Sequence, residues 1–447
     1  MEIPRYAAAV LNALHAAGFE AYIVGGCVRD SIMGMTPHDY DVTTSALPQE
    51  TERVFAAYRV IETGIKHGTV TVLSEGQPVE ITTYRIDGEY RDGRHPDGVS
   101  FTRSLRDDLS RRDFTMNGIA YSPEEGYVDL FGGRADIERG VVRCIGEPHK
   151  RFGEDALRIL RALRFAAVLG FTIEEGTARA AVECAELLDK VSRERIFAEL
   201  KKLLCGENAV QVLKDFPEIF ARIIPQLKPL VGYEQNSRFH DSTLWEHTAR
   251  AVGGAPHDEG LRLAMLLHDV GKPFCRSEDE QGESHYYGHA ETSALLAEEI
   301  LRGLKCDNAT RERVVEIVRY HDMPINDTAR YLRRALSRHG YERLCDIIRA
   351  HIADDMAKKP ECRERIPSYE AALVHARELM ERAPCLTVHD LAVTGGDLKD
   401  IVEPSPKMGR VLAALLAEVV DGTLPNTKQA LLERARQLAQ VCPRSGL

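Results

Sequence analysis

Asp39 and Asp41, in the stretch HDYDVTT, stand two apart where polar and apolar residues alternate. On a strand, side chains two apart share a face. Two carboxylates so placed can hold a pair of Mg²⁺ ions about 4 Å apart. Nucleotidyl transfer needs that arrangement, one ion to lower the pKa of an attacking hydroxyl and the other to neutralise a triphosphate leaving group. Glu80 opens the neighbouring candidate strand and offers a third carboxylate. Upstream, GGCVRD (25–30) puts Gly25 and Gly26 in a turn where backbone N–H groups can approach phosphate, and Arg29 adds charge. Taken singly, each feature is equally a surface strand or a tight turn beside a helix-facing arginine. Gly-Gly, Arg and DxD in this order point to nucleotide chemistry.

A second constellation lies downstream. WEHTARAV supplies His247, and LRLAMLLHDVGKP supplies His268 and Asp269. His289, His321 and Asp354 follow in HYYGHAETSA, VRYHDMP and HIADDMAKK. Imidazole and carboxylate ligands suit Zn²⁺, Mn²⁺, Ni²⁺ or Fe²⁺. An open coordination position would hold a water for attack on a phosphate ester. The competing reading is a helical scaffold with buried, hydrogen-bonded histidines. Asp355 competes with Asp354, and the spacing prefers Asp354.

The elements that must position these residues change character along the chain. Residues 1–18 read as an amphipathic helix. AYIVGG (21–26), HDYDVTT (38–44), GTVTVL (68–73) and VEITTYR (79–85) read as strands, the last two joined by a Glu75-Gly76 turn. Residues 86–108 are polar and read as a mobile loop. YVDLFGG and VVRCI complete an α+β unit with a small mixed sheet. From about 150 the pattern is helical almost throughout. Boundaries fall near 146, 228 and 365, giving a head (1–146), a neck (147–228), a metal-ligand domain (229–365) and a tail (366–447).

The 447 residues carry a net charge of −11, with 44% hydrophobic and 28% charged residues. This is the balance of an ordinary globular protein of two to four domains. The acidic total argues mildly against nucleic acid, but phosphate binding needs only a local basic surface. The arginine-rich stretch 103–164 is either that surface or a solvated charged face. No apolar run is long enough to span a bilayer and no signal peptide is visible, so the expected location is the cytoplasm. The 10 cysteines are scattered with no CxxC pair, so disulfides or a thiolate zinc site are not expected.

GGCVRD…HDYDVTTSALPQE resembles the head of the DNA polymerase beta-like tRNA nucleotidyltransferases of the bacterial and eukaryotic class. RRDFTMNGIAY (111–121), DLFGGRADIERGVVRCIG (129–146) and RFGEDALRILRALRF (151–165) extend the resemblance over about the first 170 residues. It implies an enzyme that adds CCA to tRNA 3′ ends from CTP and ATP, with Mg²⁺ held by Asp39 and Asp41. It further implies Gly26, Arg29 and Arg112 as nucleotide-phosphate contacts, and Asp113 as a group orienting the ribose. Gly118 departs from the alanine common in the family.

Choice of base without a template needs a fixed hydrogen-bonding edge. Asp155 and Arg158 are three apart, hence neighbours on an expected helix 154–170 whose apolar residues are 157, 160, 163 and 168. Asp155 can accept from the exocyclic amino group of C or A, and Arg158 can donate beside it. U and G present the opposite polarity there. The resemblance makes this EDxxR motif the amino-acid template and matches Arg161 and Arg164 to further nucleotide contacts. On a straight helix Arg164 points well away from Asp155. The alternative for the row is a set of surface ion pairs. Related enzymes that add only CC lack most of a loop like 85–101, which is full length here. IETGIKHGTVTV (61–72) likewise resembles the CCA-adding pattern, where bacterial poly(A) polymerases are more basic.

The downstream H…HD…D order resembles the HD phosphohydrolase superfamily, with His289 and His321 at positions that complete a second metal in its two-metal members. Some transferases with an intact HD domain act as phosphatases and 2′,3′-cyclic phosphodiesterases. The segments 386–402 and 408–439 resemble the family's tRNA-gripping tail. The rivals are a poly(A) polymerase or A-adding enzyme, and an HD phosphohydrolase whose transferase half only binds RNA.

Overall fold

A computed structural model describes residues 1–64, 68–87, 99–382 and 385–441. Most of the loop 85–101, part of 61–72, and Cys442 therefore lie outside the described residues. The chain divides into two compact units, Met1–Lys228 with Gly303–Cys306, and Pro229–Arg302 with Asp307–Leu447.

In the first unit, helix α1 (Arg5–Ala16) buries Ala7, Val10, Leu11 and Leu14, the stripe expected of an amphipathic helix. Strand β1 (Ala21–Val24) leads through the Gly-Gly turn into α2 (Gly26–Ile32). Next come β2 (Asp41–Thr44), α3 (Pro48–Val54), β3 (Arg59–Gly64), β4 (Thr69–Ser74) and β5 (Gln77–Thr83). Glu75 and Gly76, both at positive φ, make the two-residue turn that pairs Ser74 with Gln77. Then follow β6 (Arg85–Asp87), β7 (Val99–Phe101), α4 (Leu105–Ser110), β8 (Ile119–Ser122) and β9 (Gly126–Asp129). The seven-stranded sheet has the order β3-β4-β5-β2-β1-β8-β9. Its β2–β5 pair is parallel, and its remaining pairs are antiparallel.

The segment 86–108 is not simply a loop. β6 pairs with β7, and α4 is capped by Ser104, whose side chain accepts from the Asp107 N–H. The strand expected over 38–44 starts only at Asp41, so Asp39 stands just before it.

After α5 (Gly133–Arg139) and the short β10 (Val141–Val142), α6 (Pro148–Glu154) and α7 (Leu157–Leu169) begin the helical region. The expected continuous helix is broken at Asp155, whose φ of −140° and ψ of 104° are extended. Val168, read as part of the apolar stripe, is exposed, while Ile159, Leu160, Ala162, Leu163, Ala166 and Ala167 are buried. β11 (Thr172–Ile173), α8 (Glu175–Glu183), α9 (Arg193–Leu204), α10 (Ala209–Asp215) and α11 (Pro217–Ile223) complete the unit, with α9 packed along α7.

Among its described residues the second unit has helices and one pair of two-residue strands, β12 (Ser277–Glu278) and β13 (Ser284–His285). Its first helices are α12 (Leu244–Gly254) and α13 (Glu259–Leu267). A reciprocal Thr243/Glu246 capping box starts α12. α14 (His289–Gly303), α15 (Asn308–Tyr320), α16 (Ala329–His339), α17 (Tyr341–Ala357) and α18 (Ile366–Glu381) follow, then α19 (Pro406–Val420) and α20 (Lys428–Val441). Leu391, Leu398, Leu415 and Leu431 form a core under the last two helices. No disulfide forms among the described residues, and no described helix is long and apolar enough to cross a membrane.

Candidate functional site

One cavity of about 480 Å³ gathers most of the head residues singled out by type and spacing. Gly25, Gly26, Arg29, Asp39, Asp41, Arg112, Asp113, Asp155, Arg158, Arg161 and Arg164 all line it. Gly25 has φ +85°, ψ −139°, a conformation only glycine adopts without strain, and a Cβ there would meet the Arg112 guanidinium at 3.4 Å. The turn therefore brings bare backbone to the cavity.

Asp41 pairs with Val24 across β1–β2, and the parallel β2–β5 register puts Glu80 beside it. Burial pushes the Asp41 carboxyl up to about 6, and the charges of Glu80 and Asp39 add to this against the pull of Arg112. A buried carboxylate crowded by two further acids makes a place where a cation is favoured. Glu80 does not itself line the cavity.

Guanidinium groups line the same cavity as the acids, and several are held in place by hydrogen bonds. Arg29 donates to Asn117 Oδ1 at 2.9 Å and to Asp30 Oδ1 at 2.6 and 2.8 Å. Asn117 donates in turn to Asp113 at 3.0 Å. Asp113 also accepts two bonds from Arg161, at 2.6 and 2.9 Å. Burial alone would raise the Asp113 pKa, but Arg161 and Asn117 outweigh it and hold the carboxyl at about 2. Asp113 thus anchors Arg161 rather than standing free. The Phe165 ring lies under three cations, with Arg29, Arg161 and Arg164 at 5.0, 5.4 and 4.2 Å from its centroid. Residue 165 marked only the end of a matching motif, and neither its role nor that of Asn117 was legible without the fold.

Asp155 and Arg158, expected from sequence to read the base, are not placed as a row on one helix. Asp155 sits in the break between α6 and α7, where its Oδ1 caps α7 by accepting from the Leu157 N–H at 3.0 Å. Arg158 is buried, bonded to Glu154 Oε2 at 2.7 Å and to the Arg151 and Arg111 carbonyls at 3.2 and 3.0 Å. Glu154, the acid before Asp155, is the partner that sequence spacing passed over. The break also redirects the row, and Arg164 lines the same cavity as Asp155. A Cβ at Gly118 would come within 2.6 Å of Ile145 Cδ1, so the departure from alanine is a packing matter.

In the second unit, α12, α13, α14, α15 and α17 bring six candidate ligands together. His247 Nε2 lies 3.1 Å from Asp354 Oδ1 and 3.3 Å from Asp269 Oδ2. His268 Nε2 lies 3.1 Å from Asp269 Oδ2. His289 and His321 Nε2 lie 3.3 and 3.6 Å from Asp269 Oδ1. Three of the rings have a fixed tautomer. Nδ1 of His268, His289 and His321 donates to the carbonyls of Met265, Tyr286 and Val318 at 2.7, 2.8 and 2.6 Å. Their Nε2 atoms face inward, where His289 and His321 Nε2 are 3.2 Å apart. Ring nitrogens so close among buried carboxylates fit a bound cation, toward which each would turn an Nε2 lone pair. Two groups, His247-His268-Asp354 and His268-Asp269-His321, each have donor atoms close enough for one ion. Asp355 instead meets Lys358, Arg365 and Tyr369. Lys272 and Lys358, unassigned from sequence, pair with Asp269 at 2.7 Å and Asp354 at 2.5 Å.

Comparison with known proteins agrees in outline. Residues 21–143 match the poly A polymerase head domain, 170–230 the probable RNA and SrmB-binding site of polymerase A, 244–328 the HD domain, and 287–435 tRNA nucleotidyltransferase domain 2 (putative). The chain is 34% identical to the CCA-adding enzyme of Lactiplantibacillus plantarum over 96% of its own length and 95% of that protein. It is 36% identical to that of Streptococcus gordonii over 94% of each. A crystal structure of the Bacillus stearothermophilus CCA-adding enzyme in complex with CTP is 30% identical, covering 99% of this chain and 100% of that one with a TM-score of 0.76. The Thermotoga maritima CCA-adding enzyme complexed with tRNA shares the fold at 18% identity and a TM-score of 0.58, covering 98% and 96%. Relatives above 30% identity along nearly the whole length, together with the matching head and HD domains, place this chain in the CCA-adding enzyme family, as a tRNA nucleotidyltransferase that carries an HD domain.

Proposed function

We propose that this enzyme takes CTP and ATP as donors and the 3′ end of tRNA as acceptor. The observation that carries this is the single cavity shared by Asp39, Asp41 and the Gly25-Gly26 turn with Asp155 and Arg158. The relative crystallised with CTP supports the donor class. Asp39 and Asp41, with Glu80 beside them, would hold Mg²⁺, which when bound activates the attacking hydroxyl and neutralises the triphosphate. Gly25 and Gly26 offer backbone N–H groups to phosphate, and Arg29 and Arg112 offer guanidinium charge. Asp155 accepts from the amino group of C or A, and Glu154 orients Arg158 to donate beside it. Asp113 positions Arg161 against the nucleotide. A carbonyl at the amino position would face the Asp155 carboxylate, a mismatch costing on the order of several kcal/mol in a desolvated site. The neck (147–228) and tail (366–447) are assigned to tRNA binding.

The test is a tRNA transcript lacking CCA, given CTP and ATP separately and together. CTP alone should add two residues, and ATP should then add one. A long A tail would overturn the reading in favour of poly(A) synthesis.

The HD centre is assigned to phosphate-ester hydrolysis, on the convergence of four imidazole Nε2 atoms with two buried carboxylates. His247, His268, Asp269 and Asp354 would hold one transition metal, and His289 and His321 would complete a second. A bound ion of this kind supplies an activated water. Metal analysis of the purified enzyme with release of phosphate from p-nitrophenyl phosphate tests this. An enzyme holding no transition metal, or loaded and inert, would leave the centre a scaffold.

A further inference from the structure

Two charged residues on one face of α9, neither assigned a role by motif, reach the base-reading cluster from behind. Arg195 donates from Nη2 to Asp155 Oδ2 at 2.9 Å. Four residues on, and so on the same helix face, Glu199 is 3.0 Å from Arg164 Nε and 4.0 Å from Arg161 Nη1. Glu199 is 8% exposed. We propose that α9 is the aiming device of the nucleobase site: Arg195 sets the direction in which Asp155 presents its acceptor oxygens, and Glu199 holds Arg164 and Arg161 against the nucleotide.

The need for such a device follows from the backbone. Asp155 lies in an extended break, where no helical turn fixes its side chain. One oxygen is tied to the Leu157 N–H. Without a second tether the carboxylate can rotate about that bond and present either oxygen, at varying angles, to an incoming base. Arg195 removes that freedom while leaving each oxygen a lone pair for an exocyclic amino group. Discrimination by hydrogen-bond polarity depends on direction as well as charge. Arg195 should therefore govern selectivity among bases, and Glu199 should govern nucleotide affinity. α9 also lies within 170–230, the segment matching an RNA-binding family model. The two ion pairs would thus link that segment directly to base choice.

This inference rests on Asp155 reading the base, and the experiment separates the two claims. CMP and UMP incorporation into a tRNA transcript lacking CCA is measured under single-turnover conditions for full-length wild type, Arg195→Gln, Arg195→Lys, Glu199→Gln and Asp155→Asn, each checked by thermal melting. Arg195→Gln should lower the C-over-U ratio by about tenfold or more, and Arg195→Lys should restore part of it. Glu199→Gln should raise KM for CTP and ATP alike while leaving the ratio within about twofold of wild type. Asp155→Asn losing selectivity while both Arg195 variants keep it would overturn the proposal alone. Asp155→Asn keeping selectivity would remove the reading beneath it as well. Should Arg195→Gln melt early, the Lys variant decides, since a merely structural ion pair predicts wild-type selectivity once charge and stability are restored.

Discussion

At the scale of the residue, the candidate site is a set of charges each given a specific neighbour. Asp113 shows what this implies. Its carboxyl is held at about 2 by Arg161 and Asn117, against burial. An unfolded aspartate ionises near pH ~3.9. The pair therefore contributes fully above that pH, and its contribution is lost as pH falls through about 2, a change on the order of 2 kcal/mol. Asp113→Asn should destabilise the protein by about 3 kcal/mol at neutral pH, because it leaves Arg161 without its partner. Urea unfolding at pH 7 and at pH 3 checks both statements, and an unchanged midpoint at neutral pH would count against the pairing. Phe165 makes a second case. Phe165→Leu keeps an apolar side chain but removes the ring face beneath three guanidinium groups, so KM for both nucleotides should rise about fivefold with kcat little changed. Neither the Asp113 anchor nor the Phe165 platform could be read from spacing, because Arg161 lies far along the chain from Asp113 and Arg29 far from Phe165. The acids, the Gly-Gly turn and the arginines could, because their chemistry is local to short motifs.

At the scale of the element, the informative features are interruptions. The strand bearing the DxD starts at Asp41, and the helix bearing EDxxR breaks at Asp155. Periodicity correctly foretold α1, the β4–β5 hairpin and most of α7, since each buries one regular face. It missed the break because Asp155 belongs equally well to a helix until its carboxylate is seen capping the next one. α9 must pack closely on α7 for this geometry to hold. Gly206, just past α9, allows it: a Cβ there would lie 2.4 and 2.5 Å from the Ala167 carbon and oxygen. Gly206→Ala should cost about 2 kcal/mol and lower the melting temperature by roughly 5 °C. A wild-type melting curve would show the contact to be slack.

At the scale of the whole molecule, two candidate sites sit on one chain, each within one compact unit. The change from strand patterning to helix patterning near residue 150 was legible because the periods differ. Within the helical remainder the domains share one period and differ only in which faces meet; the boundary read near 228 falls where the two units divide, between Lys228 and Pro229. Six candidate ligands, on or just past the ends of five helices, converge in the second unit through tertiary packing, and each is singled out in the sequence by the HD motif and the histidines and aspartate that flank it. Asp355→Asn should leave its metal content unchanged, since that side chain turns to Tyr369, Lys358 and Arg365, whereas His268→Ala should lower it. Elemental analysis distinguishes the two.

The central claim is that Asp39 and Asp41 hold the cations for transfer at a site separate from the HD cluster. Single-turnover CMP addition to a tRNA transcript lacking CCA, compared among wild type, Asp41→Ala and His268→Ala, tests it most directly. Asp41→Ala should lose at least about a thousandfold in rate while phosphatase activity persists, and His268→Ala should do the reverse. Transfer by Asp41→Ala within tenfold of wild type, or loss of both activities in either variant, would contradict it.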